Sequence, residues 1–101
     1  MTFDENGPIK KLNKITSQIG NSFTINYGAA SIMDVISTTV DSLDNDGKLH
    51  IGMINATGTC ICLAQKYINS NYASGLVFGY GANKLLYQRK NQGTWSTVQE
   101  I

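Results

Sequence analysis

The chain has 101 residues, of which 42% are apolar and only 15% charged, and its formal net charge is +1. The charged fraction is well below the roughly 25% of an average globular protein, and Asn, Gln, Ser and Thr fill the difference. A near-zero net charge lacks the basic footprint that nucleic-acid binding needs, and no apolar run approaches the roughly eighteen residues of a membrane span. The composition predicts one small globular domain, with neither nucleic acid nor a membrane as its partner.

Residues 1–21 are predicted to be a lead-in segment or a join to an upstream shaft, and residues 22–101 a single β-rich domain. The lead-in contains apolar residues at roughly helical spacing, namely Ile9, Leu12, Ile15 and Ile19. Acids precede the lysines at the start and no apolar stretch follows, which is unlike a signal peptide. This favours synthesis and folding in a cytoplasm, and a domain cut from a longer protein is an equal interpretation.

The first predicted elements of the domain are a strand and a helix. Residues 22–28 (SFTINYG) alternate apolar and polar side chains, as a half-buried strand does. In residues 31–47, Ser31 followed by Asp34 resembles a capping box, and apolar residues then recur at steps of three and four. The Asn-Asp-Gly exit lets Gly47 adopt a positive φ angle. The β-branched residues make this helix intrinsically weak, so it must pack against a sheet.

From residue 48 onwards the pattern predicts only strands and short turns. The predicted strands are 48–55, 59–68, 75–81, 84–90 and 94–101. Short turns between them favour antiparallel pairing, because parallel neighbours need long crossovers. The run Cys-Ile-Cys-Leu is apolar on both faces, which predicts a central strand covered on both sides. The fold class is therefore mainly β (α+β): an antiparallel meander or sandwich with one helix in its N-terminal third.

The sequence offers no constellation for catalysis, so we predict that the protein is not an enzyme. Four of the seven carboxylates belong to the helix or its exit, where capping and solvation explain them. His50 lies on a predicted strand between Leu49 and Ile51, and a nucleophile–His pair would need a third, orienting group and a concave pocket. Cys60 and Cys62 would share one face of a strand, too far apart for an easy disulfide, and they are predicted to be buried thiols. No cofactor and no metal are expected.

Tyrosines and planar amides are the residues best suited to binding. Flat aromatic faces stack on sugar rings while amides and guanidinium groups satisfy hydroxyls, so a carbohydrate site is a reasonable expectation. The candidate ligand-binding residues are Tyr72, Asn69, Asn71, Tyr80, Asn83, Arg89 and Trp95. Tyr72, inside the polar segment 69–74, is the candidate expected to be exposed. For Trp95 the alternative is an inward-facing ring whose N–H is satisfied by backbone.

The C-terminal segment LLYQRKNQGTWSTVQEI resembles the ending of bacteriophage tail-fibre and baseplate proteins, including domains of the pyocin-knob type. In that family a strand with an aromatic residue and an Arg is followed by a short Asn/Gly turn, and a Trp-Ser pair opens the terminal strand. The matching residues are Tyr87, Arg89, Asn91, Gly93, Trp95 and Ser96. Val98 occupies a place where the family often has a second Trp. The likeness extends over residues 29–101. The helix, the strand after it and the segment CLAQKYI, which contains Gln65, follow one another in the same order as in the family.

The resemblance implies a receptor-binding component of the virion tail, assembled in the host cytoplasm. Its implied partners are further copies of itself in a homotrimer, a host cell-surface polysaccharide and other tail proteins. Strands that are apolar on both faces are compatible with this, because one domain hides only one face of its sheet and partner copies would bury the other. Trimerisation is thus expected.

Two other interpretations remain open from the sequence. One keeps the virion but assigns a purely structural role, as a trimerisation or decoration module. The other is a monomeric carbohydrate-binding module of a bacterial cell-surface protein.

Overall fold

The protein is described here by a computed structural model, which covers residues 18–79 and 85–101. Within these residues, one mixed β-sheet carries one helix on one of its faces. The elements are β1 (Phe23–Asn26), α1 (Ile32–Asp41), β2 (Leu49–Asn55), β3 (Thr59–Lys66), β4 (Ala73–Phe78), β5 (Leu86–Asn91), β6 (Thr94–Trp95) and β7 (Gln99–Glu100). The predicted mainly-β α+β class is confirmed, and the predicted strands from 48 onwards form a meander in chain order.

The edge strand β1 pairs in parallel with β2, with Phe23 opposite Gly52 and Asn26 opposite Asn55. Helix α1 supplies the long crossover that a parallel pair requires. The antiparallel description therefore holds for β2 to β7 and does not extend to β1. Upstream of β1, Ile19 bridges to Leu49 in the same parallel sense and lengthens this edge.

Helix α1 buries one side against the sheet, as its apolar spacing predicts. The buried residues are Ile32, Val35, Ile36, Thr39 and Val40. The approach is close: a Cβ at Gly75 of β4 would lie 3.0 Å from Cγ2 of Val40 and 3.1 Å from Cγ2 of Ile36. Because Gly75 has no side chain, the β-branched residues of α1 can pack close to the backbone of β4.

Both ends of α1 differ from the sequence prediction. Ser31 has the extended backbone of an N-cap, but its side chain makes no capping hydrogen bond, so the predicted capping box does not form. The helix ends at Asp41, before the Asn-Asp-Gly exit, and Gly47 adopts the expected positive φ of 70°.

The last predicted strand, 94–101, is divided into β6 and β7, and both pair with β5. The β5–β6 connection turns through Gln92 (φ 50°) and Gly93 (φ 84°). Two successive positive φ angles between paired Asn91 and Thr94 are those of a type I′ hairpin. Directly after β6, the amide of Ser96 continues the β5–β6 ladder by donating to the carbonyl of Arg89 at 2.8 Å.

The core lies between α1 and the helix-facing side of the sheet. Cys60 and Cys62 are buried there as free thiols, as predicted, and burial raises the pKa of Cys62 to about 12. Its thiol is therefore held neutral and behaves as a small apolar side chain.

The predicted helical spacing at residues 9–15 and the predicted turn at 82–83 lie outside the described residues. Within the described part of the chain, α1 is too short to span a bilayer.

Candidate functional site

The sheet surface opposite α1, which we call the open face, has no described element packed over it. The side chains on it come from alternate positions of six neighbouring strands and follow from the pairing register. Its apolar members are Leu49, Ile51, Met53, Ile61, Leu63, Leu76, Phe78, Leu85, Tyr87 and Ile101. They form a continuous apolar centre across the sheet.

The centre of the open face is solvent-accessible. Ile51, Met53 and Ile61 are each more than 40% exposed, although they lie on the two strands in the interior of the β1–β4 order. The predicted central position of β3 is confirmed. The predicted cover on both sides is not observed among the described residues, because α1 packs on one face alone.

Polar side chains flank this apolar centre along the strand direction. At one end, Gln65, Ser74 and Arg89 stand opposite one another on β3, β4 and β5. At the other end, Asn55 donates a hydrogen bond from Nδ2 to Oδ1 of Asn26 on β1, at 2.6 Å. Arg89 is the one formally charged side chain that the register assigns to this face in the described strands. An apolar centre with a polar rim and few charges is typical of a binding surface.

A groove of about 270 Å³ lies at the Gln65–Ser74–Arg89 end of the open face. We call it the tyrosine groove. Its lining residues are Gln65, Tyr67, Tyr72, Ala73, Ser74, Tyr87, Arg89, Lys90 and Asn91. It combines three aromatic rings with amide, hydroxyl and guanidinium groups and contains no carboxylate.

The turn between β3 and β4 positions two of the three rings. The amide of Tyr67 donates to the carbonyl of Tyr72 at 2.9 Å, closing a loop in which Ser70 adopts a positive φ of 58°. The two rings meet edge to face, with centroids 6.2 Å apart and an interplanar angle of 81°. Tyr67 is 50% and Tyr72 43% exposed, so both keep an aromatic face in solvent.

Arg89 is exposed, and its backbone is fixed on both sides. It is paired with Ser74 on β4, and on its other side its amide donates to Oγ of Ser96 at 3.2 Å. The guanidinium itself makes no hydrogen bond or ion pair with any described residue. Strand β5 thus presents to the groove a cation that has no partner among the described residues.

The candidate residues from the sequence divide into four groups, of which Trp95 alone is the last. Tyr72 and Arg89 line the tyrosine groove. Asn69 and Asn71 belong to the adjoining turn, where Oδ1 of Asn69 accepts from the amide of Asn71 at 3.0 Å and the carbonyl of Asn71 accepts from Gly93 at 3.0 Å. These two amides shape the turn next to the groove. Tyr80 and Asn83 lie outside the described residues.

Trp95 lies away from the groove, on the helix side of the sheet. Its indole Nε1 donates to Oδ2 of Asp41 at the end of α1, at 3.0 Å, and Nζ of Lys90 lies 6.0 Å from the ring centroid. The half-buried ring therefore holds the β5–β6 hairpin against the helix. The expected satisfaction of its N–H is observed, but the acceptor is a carboxylate and not backbone.

The tyrosine groove also contains residues that were not among the candidates predicted from the sequence, namely Gln65, Tyr67, Ser74 and Tyr87. The available signal was the period of two, because Tyr87 and Arg89 alternate with the buried Leu86 and are therefore on one face. What the sequence could not provide was the register that brings β3 and β4 beside them.

His50 is buried, and both of its ring nitrogens lie within hydrogen-bond distance of a partner. It is 1% exposed, with Nε2 at 2.9 Å from Oδ1 of Asp46 and Nδ1 at 3.2 Å from the carbonyl oxygen of Asn21. A Cβ at Gly20 would overlap its ring. In the described ranges, no three His, Cys, Asp or Glu side chains come together in a way that could hold a metal ion.

Comparison with protein families, with curated proteins and with solved structures gives no match to this chain.

Proposed function

We propose that this protein is a self-associating carbohydrate-binding module of a bacteriophage tail fibre or baseplate, which attaches to a polysaccharide on the host surface. The observation that carries the proposal is the tyrosine groove. Exposed aromatic faces offer apolar contact to sugar rings, and the neighbouring Gln65, Ser74 and Asn91 offer both donors and acceptors to hydroxyl groups.

The virion assignment is supported by the resemblance of residues 85–101 to tail-fibre endings. In the fold, this segment forms the strand that bears Tyr87 and Arg89 and the hairpin that Trp95 holds against α1. The part of the sequence that carries the resemblance thus also builds one wall of the groove.

The occupant that we assign to the apolar centre of the open face is a second copy of this chain. Six strand positions at about 4.8 Å spacing, with about six residues each at about 3.3 Å rise, give a face on the order of 550 Å². This is about two thirds of the roughly 800 Å² per partner of a standard interface. The near absence of charge lets the open faces of several copies meet around a common axis without repulsion. A homotrimer is the assembly that we propose, in keeping with the resemblance.

The proposal is tested by binding of the labelled protein to an array of bacterial surface polysaccharides. We expect wild-type binding to at least one polysaccharide, and a loss of roughly tenfold or more in affinity for Tyr72→Ala and for Tyr67→Ala. Ile68→Ala is the matched control, because Ile68 is 67% exposed beside Tyr67 and does not line the groove. Absence of binding to every polysaccharide, or equal losses in Ile68→Ala, would contradict the carbohydrate role.

A structural role in the virion is the second candidate, and the exposed apolar centre favours it. A stable homotrimer that binds no polysaccharide would be the result expected for that role.

A further inference from the structure

The charge of the tyrosine groove carries an inference about the class of sugar that it binds. Among its lining residues are two cations and no acid. Lys90 is already neutralised, because its Nζ lies 3.1 Å from Oδ1 of Asp41 on the helix side. The remaining charge is the guanidinium of Arg89, which no described carboxylate approaches.

Binding of a neutral polysaccharide does not require a guanidinium group beside the three aromatic rings. Neutral hydroxyls are equally well served by the amides and hydroxyls already in the groove. An oxyanion is different, because a guanidinium binds it through two parallel N–H donors with charge assistance. Arg89 and Tyr87 lie near each other on β5, and both line the groove. One sugar ring can therefore contact the tyrosine rings while the anionic substituent of that sugar pairs with the guanidinium of Arg89.

We infer that the groove selects an acidic polysaccharide, in which the carboxylate or phosphate of a sugar unit pairs with Arg89 while the ring packs on the tyrosines. This inference rests on the proposed carbohydrate function and specifies its ligand class. Pairing with Ser74 and Ser96 already fixes the backbone of Arg89 in the free protein. Binding therefore orders only the Arg89 side chain, which keeps the entropic cost of binding low.

The test compares matched ligands and matched variants. The ligands are uronic-acid polysaccharides with their carboxyl-reduced forms, and phosphate-bearing polysaccharides with their dephosphorylated forms. The variants are wild type, Arg89→Gln, Arg89→Lys and Lys48→Gln. Lys48→Gln removes the same charge from a residue that does not line the groove, and it controls for net charge. Unfolding midpoints equal to that of wild type confirm that the exposed Arg89 variants remain folded.

We expect Arg89→Gln to weaken binding of an acidic polysaccharide roughly 10- to 100-fold, with a smaller loss for Arg89→Lys and none for Lys48→Gln. Wild type and Arg89→Gln should then bind the reduced or dephosphorylated polymer equally weakly, because the pairing group is gone. Wild-type binding should also weaken with added salt, and more steeply than binding by Arg89→Gln. The two ligand pairs identify whether the anion is carboxylate or phosphate.

Strong binding to a neutral polysaccharide that is unaffected by Arg89→Gln would overturn the inference and leave the carbohydrate function intact. Failure to bind any polysaccharide, acidic or neutral, would overturn both.

Discussion

Lys66 is a buried cation whose role is to satisfy the end of a helix. It is 6% exposed, and its Nζ donates to the carbonyl of Asp41 at 2.6 Å and to that of Leu43 at 3.0 Å. The last carbonyls of a helix lack partners within the helix and carry partial negative charge. A Lys on β3 therefore closes α1 from the sheet and fixes the two layers relative to each other.

Lys66→Met should lower the free energy of unfolding by about 1–3 kcal/mol, because the carbonyls at the end of α1 lose a charged donor in a buried place. Urea unfolding followed by circular dichroism measures this. Lys48→Met removes the same charge from a half-buried side chain that makes no hydrogen bond with the described residues, and its effect should stay within about 0.5 kcal/mol. Equal losses in the two variants would show that charge alone, and not the helix end, is responsible.

The carboxylate of Asp46 makes the free energy of unfolding depend on pH in the acidic range. The backbone amide of Lys48, followed by the side chain of His50, stabilises its carboxylate and holds its pKa below the usual 3.8. A lowered pKa in the folded state means that the folded protein holds its proton less tightly than the unfolded chain. The stabilisation is therefore complete above pH 3.8 and is lost as the pH falls through the folded-state pKa.

Asp46→Asn should be less stable than wild type at pH 6, and its unfolding midpoint should fall less between pH 5 and pH 2. Thermal unfolding across that range, with Asp44→Asn as the control for an exposed acid of the same loop, measures the difference. Parallel pH profiles for wild type and Asp46→Asn would remove Asp46 as the source.

At the scale of elements, the β5–β6 hairpin connects the groove to the core. Arg89 faces the groove, whereas Trp95, after the turn, bonds to Asp41 at the end of α1. The turn between them requires two successive left-handed residues, and Gln92 is a costly choice for the first of them. Asn tolerates this conformation better, and Asn-Gly is the preferred pair of a type I′ turn.

Gln92→Asn should raise the free energy of unfolding by about 0.5–1 kcal/mol, because it relieves the left-handed strain of an exposed residue. Gly93→Ala at the next position should lower it by about 1 kcal/mol for the opposite reason. Thermal unfolding of both variants gives the comparison. A loss in Gln92→Asn would contradict the type I′ assignment.

At the scale of the whole molecule, the unequal cover of the two sheet faces determines how the protein behaves in solution. One face is packed by α1, and the other exposes Ile51, Met53 and Ile61. An apolar centre of this kind gains about 25 cal/mol for each Å² that a partner removes from water.

The wild-type protein should sediment as an oligomer at tens of micromolar, and Ile61→Glu should raise the concentration of half-association at least about tenfold. Met33→Glu is the matched control, because Met33 is 45% exposed on α1 and Ile61 is 41% exposed on the open face. Sedimentation velocity over a dilution series measures both. A wild-type monomer throughout the series would contradict self-association.

Much of the fold could be predicted from the sequence, and the reasons are local. The period of two located β2 to β5 within a few residues, and the apolar steps located the buried side of α1. The alternation of side chains along β3 also indicates that Lys66 is buried, because Lys66 lies on the same face as Cys60 and Cys62. The candidate site was predicted less well: Tyr72 and Arg89 reach the groove, whereas Trp95 lies on the other face.

The sequence by itself determined the mainly β class, the single amphipathic helix, the positive φ angle at Gly47 and the buried thiols. These follow from properties of neighbouring residues: periodicity, backbone freedom and side-chain polarity. Only the tertiary structure decided that β1 runs parallel to β2, that the described elements cover one face of the sheet alone, and that Tyr67, Tyr72 and Arg89 share a groove. Register and layer packing depend on contacts between distant segments, and no local pattern encodes which segments meet.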